Sequence, residues 1–499
     1  MENNSSPLRV ATGTAGLDDI LNGGLPSNHV YLLEGDPGTG KTTLAMQFLM
    51  EGVRASERSM YVSLSETERE LRAVADSHGW NITGVDIFEL PAGYAKPDDQ
   101  YTVFHASEVE LADITKAILE RVEETEPHRV VLDSLSEVRL LAGDALRYRR
   151  QILSLKQFFA GRNCTVLLLE DRTATMRDLD VASIAHGVIS LEQLTRQYGG
   201  ERRRLRIAKM RGLAFRGGFH DYAILTGGLR IYPRLVAAEH RNEHKRGVAQ
   251  SGIAALDTLL GGGIEFGTST LILGPAGCGK STIACRYVAA AAERGERGSI
   301  YTFDENPPTL LRRAASLGAN LYPHIESGRV KVQQVDPAEL APGEFVCRVR
   351  QDVEENKASI IVIDSVNGFM NAMPGEETLA MQLHELLSFL NQRGIVSIMV
   401  MAQYGILGQG MITPADISYL ADIVVLLRYF EAHGAVRQAI SVVKKRSGSH
   451  ERHIREFQLR PGAICVGPPL AEFHGILTGT PQYVGSMDPL MRSGAPSES

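Results

Sequence analysis

Short apolar runs alternate with amphipathic stretches along this chain. HVYLLEG (residues 29–35) is apolar and stops at a glycine loop, and TTLAMQFLMEG follows with Leu44, Phe48 and Leu49 at helical spacing. The same succession returns at STLILG (269–274) and STIACRYVAAAAERG. VVLDSL, TVLLLE, IIVIDS and SIMVMA read as further buried strands, each preceded by a helical segment. Fully apolar strands separated by helices predict a parallel sheet covered on both faces. The pattern completes itself twice, so two doubly wound α/β domains are expected.

The repetition extends to individual residues. Lys41 and Lys280 lie 239 positions apart, and GLDDILNGGLP faces ALDTLLGGGIE at the same offset. MYVSLSETEREL (60–71) faces SIYTFDENPPTL (299–310), again at 239. Asp133 of VVLDSL matches Asp364 of IVIDSV at 231, and KMR (209–211) matches KKR (444–446) at 235. Five matched stations in one order indicate a tandem duplication. Domains are expected over residues 7–236 and 247–470, joined through the charged stretch AAEHRNEHKRG. A tail over residues 471–499 follows, and its end, MDPLMRSGAPSES, is small and polar and reads as disordered.

Composition narrows the class. At 499 residues the chain exceeds one hydrophobic core. A formal net charge of -7 argues against a dedicated polyanion binder, so nucleic acid is not the expected partner. The five cysteines are scattered without CxxC spacing, which suggests neither a disulfide framework nor a zinc site and fits a reducing compartment. The polar start lacks the apolar core of a signal peptide, and no apolar run approaches membrane-helix length. A cytoplasmic protein is expected.

The candidate chemistry is phosphate binding. GxxxxGK[ST] is met at Gly35–Thr42 and again at Gly274–Ser281. Such a loop turns successive N–H groups toward one phosphate, and the helix that follows adds its dipole. The ATP-binding residues are therefore expected to be Gly35, Pro37, Gly38, Thr39, Gly40, Lys41, Thr42 and Thr43, and in the second copy Gly274, Ala276, Gly277, Cys278, Gly279, Lys280, Ser281 and Thr282. Lys41 and Lys280 would reach the β/γ phosphates, and Thr42 and Ser281 would hold Mg²⁺. Asp133 and Asp364 end apolar strands and are placed to support that ion, although an aspartate there can also be a simple helix cap.

Two further stations bear on whether ATP is split. Ser65-Glu66 and Asp304-Glu305 follow the strands MYVSL and SIYTF. The expectation is a carboxylate at the end of the strand beside the P-loop strand, where Glu66, Asp304 and Glu305 could orient and deprotonate water. The alternative is a solvated acidic turn. Lys209/Arg211 and Lys444/Arg446 have K-x-R spacing, which puts both side chains on one face of a strand. They would stabilise phosphate charge from a neighbouring subunit; the alternatives are a protective basic edge or, for RRRLRIAKMR, nucleic acid.

These residues resemble the two-domain KaiC type of the RecA-like P-loop ATPase superfamily. The resemblance runs from about Leu8 to about Tyr483 and is marked by T-G-x-x-G-L-D at Thr12–Asp18, both P-loops, the acidic station, and K-x-R followed by HERHIREF (450–457). It implies two tandem RecA-like P-loop domains, each a mostly parallel sheet flanked by helices, and a homo-hexameric double ring. ATP would lie between subunits, with Lys209, Arg211, Lys444 and Arg446 acting in trans, and a serine/threonine autokinase activity would reside in the second domain. The sequence departs from the family at two places. Ser65 stands where a first glutamate is usual, which leaves the first site open to a mainly structural role. The family's tandem Ser-Thr matches Ser418-Tyr419, so Ser418, with Thr413 nearby, is the remaining candidate phosphoacceptor; a plain capping or buried role for Ser418 stays beside it. Gln403 is a weaker candidate γ-phosphate sensor, matched by Asp171-Arg172 in the first half. A DNA-associated motor and a nucleotide-dependent scaffold with little turnover are the competing readings, and no protein partner can be named from the sequence.

Overall fold

In the computed structural model, the residues described are 8–89, 106–172, 179–195, 199–240, 247–371, 378–403, 417–432, 434–477 and 481–484. The chain divides into two units, Met1–Arg234 and Leu235–Ser499. In the first, nine strands make one sheet. In chain order they are β1 Val30–Gly35, β2 Ser59–Ser63, β3 Val85–Glu89, β4 Arg129–Asp133, β5 Thr165–Asp171, β6 Gly187–Leu194, β7 Arg202–Met210, β8 His220–Leu225 and β9 Gly228–Tyr232. Across the sheet the order is β3-β2-β4-β5-β1-β6-β7-β8-β9. The first six strands are parallel, and β6 to β9 form an antiparallel extension.

The second unit repeats this plan with β10 Ser269–Gly274, β11 Gly298–Thr302, β12 Val330–Gln334, β13 Ile360–Asp364, β14 Val396–Ala402, β15 Ile423–Ala432, β16 Ala435–Lys445, β17 Arg455–Arg460 and β18 Ala463–Pro469. Their order, β12-β11-β13-β14-β10-β15-β16-β17-β18, is that of the first sheet strand for strand. Even the irregularity is copied: the β6/β7 ladder slips between Val188 and Ile189, and the β15/β16 ladder between Val424 and Val425.

The apolar runs become strands because both faces of each sheet are covered. In the first unit Tyr31 and Leu33 of β1 belong to one core cluster and Val30 and Leu32 to another. The helix α1, Lys41–Arg54, buries Leu44, Ala45, Met46, Phe48, Leu49 and Met50, so it has no broad polar stripe. Helix α2, Glu68–Ser77, begins at a capping box in which Thr67 and Glu70 satisfy each other's backbone N–H groups. Its counterparts are the P-loop helix α3, Lys280–Glu293, whose Ala289–Ala292 run is buried, and α4, Pro307–Ser316, capped by Asn306.

The segment that follows Arg234 packs on the second unit. Leu235 and Ala237 join its core, and the Ala237 N–H donates to Glu385 Oε2 at 3.0 Å on the helix α5, Leu379–Gln392. At the other end Leu470, Phe473 and Ile476 pack with Phe430 and Ala439. The tail end expected to be disordered, residues 487–499, lies outside the described residues. No helix among the described residues is long and apolar enough to cross a membrane.

Two candidate nucleotide sites

Both glycine loops leave the carboxyl end of the sheet's fifth strand position, between β5 and β6 in one unit and β14 and β15 in the other. Ligands of parallel α/β sheets bind at that end. Gly40 and Gly279 precede their helices with φ of 90° and 97°, a left-handed geometry that a side chain would strain. A Cβ on Gly40 would also stand 2.9 Å from Ile224 Cδ1. Asp36, Pro37 and Gly38 are exposed at the first loop tip, as Ala276 and Gly277 are at the second, while Thr39, Thr43, Cys278 and Thr282 face inward.

At the first loop Lys41 is 8% exposed and its Nζ donates to the carbonyls of Gly35 and Asp36 at 2.9 and 3.0 Å. It also pairs with Asp171 Oδ1 at 2.7 Å. Thr42 Oγ1 donates to Asp133 Oδ2 at 3.2 Å, and the Tyr61 hydroxyl donates to the same oxygen. Burial pushes the Asp133 carboxyl above its usual range, opposed by those two hydroxyls. At the second loop Lys280 donates to the Pro275 carbonyl at 2.7 Å and lies 3.9 Å from Cys278 Sγ. Ser281 hydrogen-bonds Asp364, whose carboxyl desolvation likewise pushes up.

The acidic turns share one local device. Ser63 Oγ accepts from the Glu66 N–H at 3.1 Å and donates to the Glu66 carbonyl, and Thr302 Oγ1 does the same for Glu305 at 3.3 Å. Beyond the backbone the turns differ. Glu66 Oε2 is buried without a partner, and burial, with the charges of Asp133, Glu70 and Asp171, pushes its carboxyl upward. Ser65 is exposed. Glu305 is gripped by Arg313, and Asp304 Oδ2 accepts from Ser365 Oγ at 2.5 Å. One expectation is corrected: β2 is not beside the P-loop strand, because β4 and β5 fill the two places between them. The turn still reaches the cleft, since β2 pairs with β4 in register and ends at Ser63 opposite Asp133.

The K-x-R pairs lie at the opposite end of the sheet from the P-loop of their own unit. Lys209 pairs with Val188 near the start of β6, whereas Gly35 pairs with Leu191 further along it. Lys209 Nζ donates to the carbonyls of Ala182, Ser183 and Ala185, and Arg211 to that of Ser183. Lys444 donates to the Ser418 carbonyl at 2.9 Å, and Arg446 to that of Tyr419 and to Asp422 Oδ1. Both cations of each pair therefore converge on one segment, although the strands end at Met210 and Lys445, so Arg211 and Arg446 lie just beyond the strand on which both were expected. Ser418 is half-buried on the segment so held; Thr413 lies outside the described residues. Gln403 and Arg172 occupy equivalent places, each N–H on the last carbonyl of the P-loop strand.

The arginine run that suited nucleic acid is spent inside the fold. Arg202 pairs with Asp221, Arg203 with Glu201 and Arg204 with Glu192. The Arg202–Asp221 pair is repeated as Arg437–Glu456, a duplicated station that the sequence reading missed because Arg202 and Glu456 lie in quoted stretches while their partners Asp221 and Arg437 do not. Tyr61 and Arg313 were missed for the opposite reason: Ile300 and Val74 stand at the matching positions, so no repeat flags them. Asp171, noted beside Arg172 as the counterpart of Gln403, gave no sign of its pairing with Lys41 because Ala402 stands at its own match.

A hydroxyl beside a carboxylate at each loop, and at the first a buried Glu66 oxygen without a partner, suit a magnesium nucleotide. Sheet order, glycine loop and strand-end aspartate together define a P-loop ATPase built from two tandem RecA-like domains. The KaiC ATPase family model matches residues 10–236 and 249–471. The chain belongs to the KaiC family of ATPases. It is similar over nearly all its length to curated relatives. It is 26% identical to a circadian clock protein KaiC3 of Synechocystis sp. over 96% of both chains. It is 27% identical to a circadian clock oscillator protein KaiC of Synechococcus elongatus, over 97% of this chain and 94% of the relative.

Proposed function

We propose that this chain hydrolyses ATP at subunit interfaces of a cytoplasmic double-ring hexamer, with each P-loop completed by the K-x-R pair of an adjoining protomer. The observation that carries the reading is the position of Lys209/Arg211 and Lys444/Arg446, remote from the P-loop of their own sheet. In each unit a loop and a basic pair at opposite ends suit a head-to-tail ring.

In this reading Gly35, Pro37, Gly38, Thr39, Gly40 and Thr43 cradle the phosphates in the first domain, and Gly274, Ala276, Gly277, Cys278, Gly279 and Thr282 in the second. Lys41 and Lys280 meet the β/γ oxygens. Thr42 and Asp133, and Ser281 and Asp364, hold Mg²⁺, which offsets charge on the transferring group. Glu66 in the first domain and the Asp304-Glu305 pair in the second position the attacking water. With Ser65 in place of a second acid, the first site serves mainly to bind nucleotide and hold subunits together. Ser418 is the candidate acceptor of an autokinase reaction, because its segment is the one that Lys444 and Arg446 hold.

The test is phosphate release from wild type, Glu66→Gln and Asp304→Asn/Glu305→Gln, with oligomer size recorded in parallel. The second variant is expected to lose about 100-fold in turnover and the first far less. A monomer with full activity would refute the interface reading. Mass spectrometry after incubation with ATP decides Ser418.

A further inference from the structure

Arg313 projects from α4 onto the acidic turn. Its Nε and Nη2 donate to Glu305 Oε1 and Oε2 at 3.2 and 2.6 Å, and Nη1 donates to Thr282 Oγ1 at 3.0 Å. Thr282 is the residue after Ser281 on the P-loop helix. One side chain thus fastens the acidic turn to the helix that carries the phosphate loop. Planar two-point grips of this kind fix orientation as well as distance. The position is α-helical in both copies, but the first holds Val74, and Glu66 there keeps a buried oxygen without a partner. While the grip holds, both Glu305 oxygens are engaged. Asp304 is exposed, and its carboxylate is held by the Ser365 hydroxyl.

We propose that Arg313 is a positioning residue of the second nucleotide site: it clamps Glu305 to the P-loop helix and so presents Asp304 as the carboxylate that takes the proton of the attacking water. In that step the water oxygen bonds to the γ-phosphorus and its proton passes to Asp304. The bond from the γ-phosphorus to the β–γ bridging oxygen breaks, leaving ADP and inorganic phosphate. The inference rests on the hydrolytic reading of this site, and the experiment separates the two.

In the full chain carrying Glu66→Gln, kcat and KM for phosphate release are measured after each further change. Asp304→Asn is expected to lower kcat about 100-fold. Arg313→Val and Glu305→Gln should each lower it about tenfold with KM within about twofold. Because both remove the same clamp, the double variant should be no worse than either single, and Arg313→Lys should recover part of the loss. Arg313→Gln replaces the valine variant should that chain not fold. Normal kcat without the arginine, multiplied losses in the double variant, or a larger loss from Glu305→Gln than from Asp304→Asn overturns the inference. Full turnover in both Asp304→Asn and Glu305→Gln defeats the hydrolytic reading itself, whatever Arg313 does.

Discussion

The two phosphate loops share a backbone and differ in their surroundings. Lys41 is paired with Asp171, whose place in the second unit is taken by Ala402, so Lys280 meets a carbonyl and a thiol instead. Around the first loop stand Asp133, Asp171 and Glu66; burial pushes Asp133 and Glu66 toward the protonated form, with the charge of Asp133 adding to the effect on Glu66 and that of Asp171 to both. Around the second, Arg313 brings a cation among Glu305 and Asp364. Duplication has preserved what a phosphate requires of the main chain: the glycines, the hydroxyl beside the strand-end aspartate, and the Ser/Thr turn under the glutamate. What has diverged is the charge of the cleft, which governs how readily a polyanion enters and how water is activated.

The largest contrast expected is between Lys280→Ala and Lys41→Ala. The first should remove most hydrolysis, about 100-fold, while the second should cost little turnover and lower the fraction of assembled protein. Sedimentation and phosphate release on the same samples read both. An intact oligomer from Lys41→Ala, or unchanged turnover from Lys280→Ala, breaks the division. Asp171→Ala should act more modestly, tightening ATP binding at the first loop about fivefold, since a part-exposed ion pair competes only weakly with a phosphate. Nucleotide titration of a Lys280→Ala chain measures it, and unchanged affinity would mean the carboxylate does not compete.

The smallest effect concerns acid stability. His220 accepts the Arg234 N–H and sits against the Arg216 carbonyl, and burial pushes its pKa down to about 4, whereas Arg455 occupies the matching strand position. A depressed imidazole stabilises the fold fully above its unfolded pKa, near 6.5, and that contribution is lost as pH falls toward 4. Between pH 7 and 5 the Tm of a His220→Gln chain should therefore fall by a few degrees less than that of wild type. Equal slopes in thermal melts would remove His220 from the account.

What could be read from the chain was what repeats. Lys41 and Lys280, Asp133 and Asp364, and the K-x-R pairs announce themselves because the same local geometry demands the same residue twice. The slot a strand takes in the sheet is not a local property. The crossover from β1 to β2 is covalently plain, yet nothing near it says that β4 and β5 will later insert between them, and so the expectation sets the acidic turn two strands too close. Arg202 to Arg204 look like a basic surface in sequence because Asp221 and Glu192 come from adjoining strands. Arg313, and the role of Asp171 beside Lys41, were invisible for a sharper reason: matching two copies highlights agreement, and these side chains matter where the copies disagree.

The remoteness of Lys444 from Lys280 along the second sheet has a kinetic consequence under the proposed reading. A lone chain then carries every group the reaction needs but cannot bring them to one phosphate. Specific activity would fall on dilution, and mixing a P-loop variant with a K-x-R variant, each inert alone, would restore part of it by complementation at the junctions where intact halves meet.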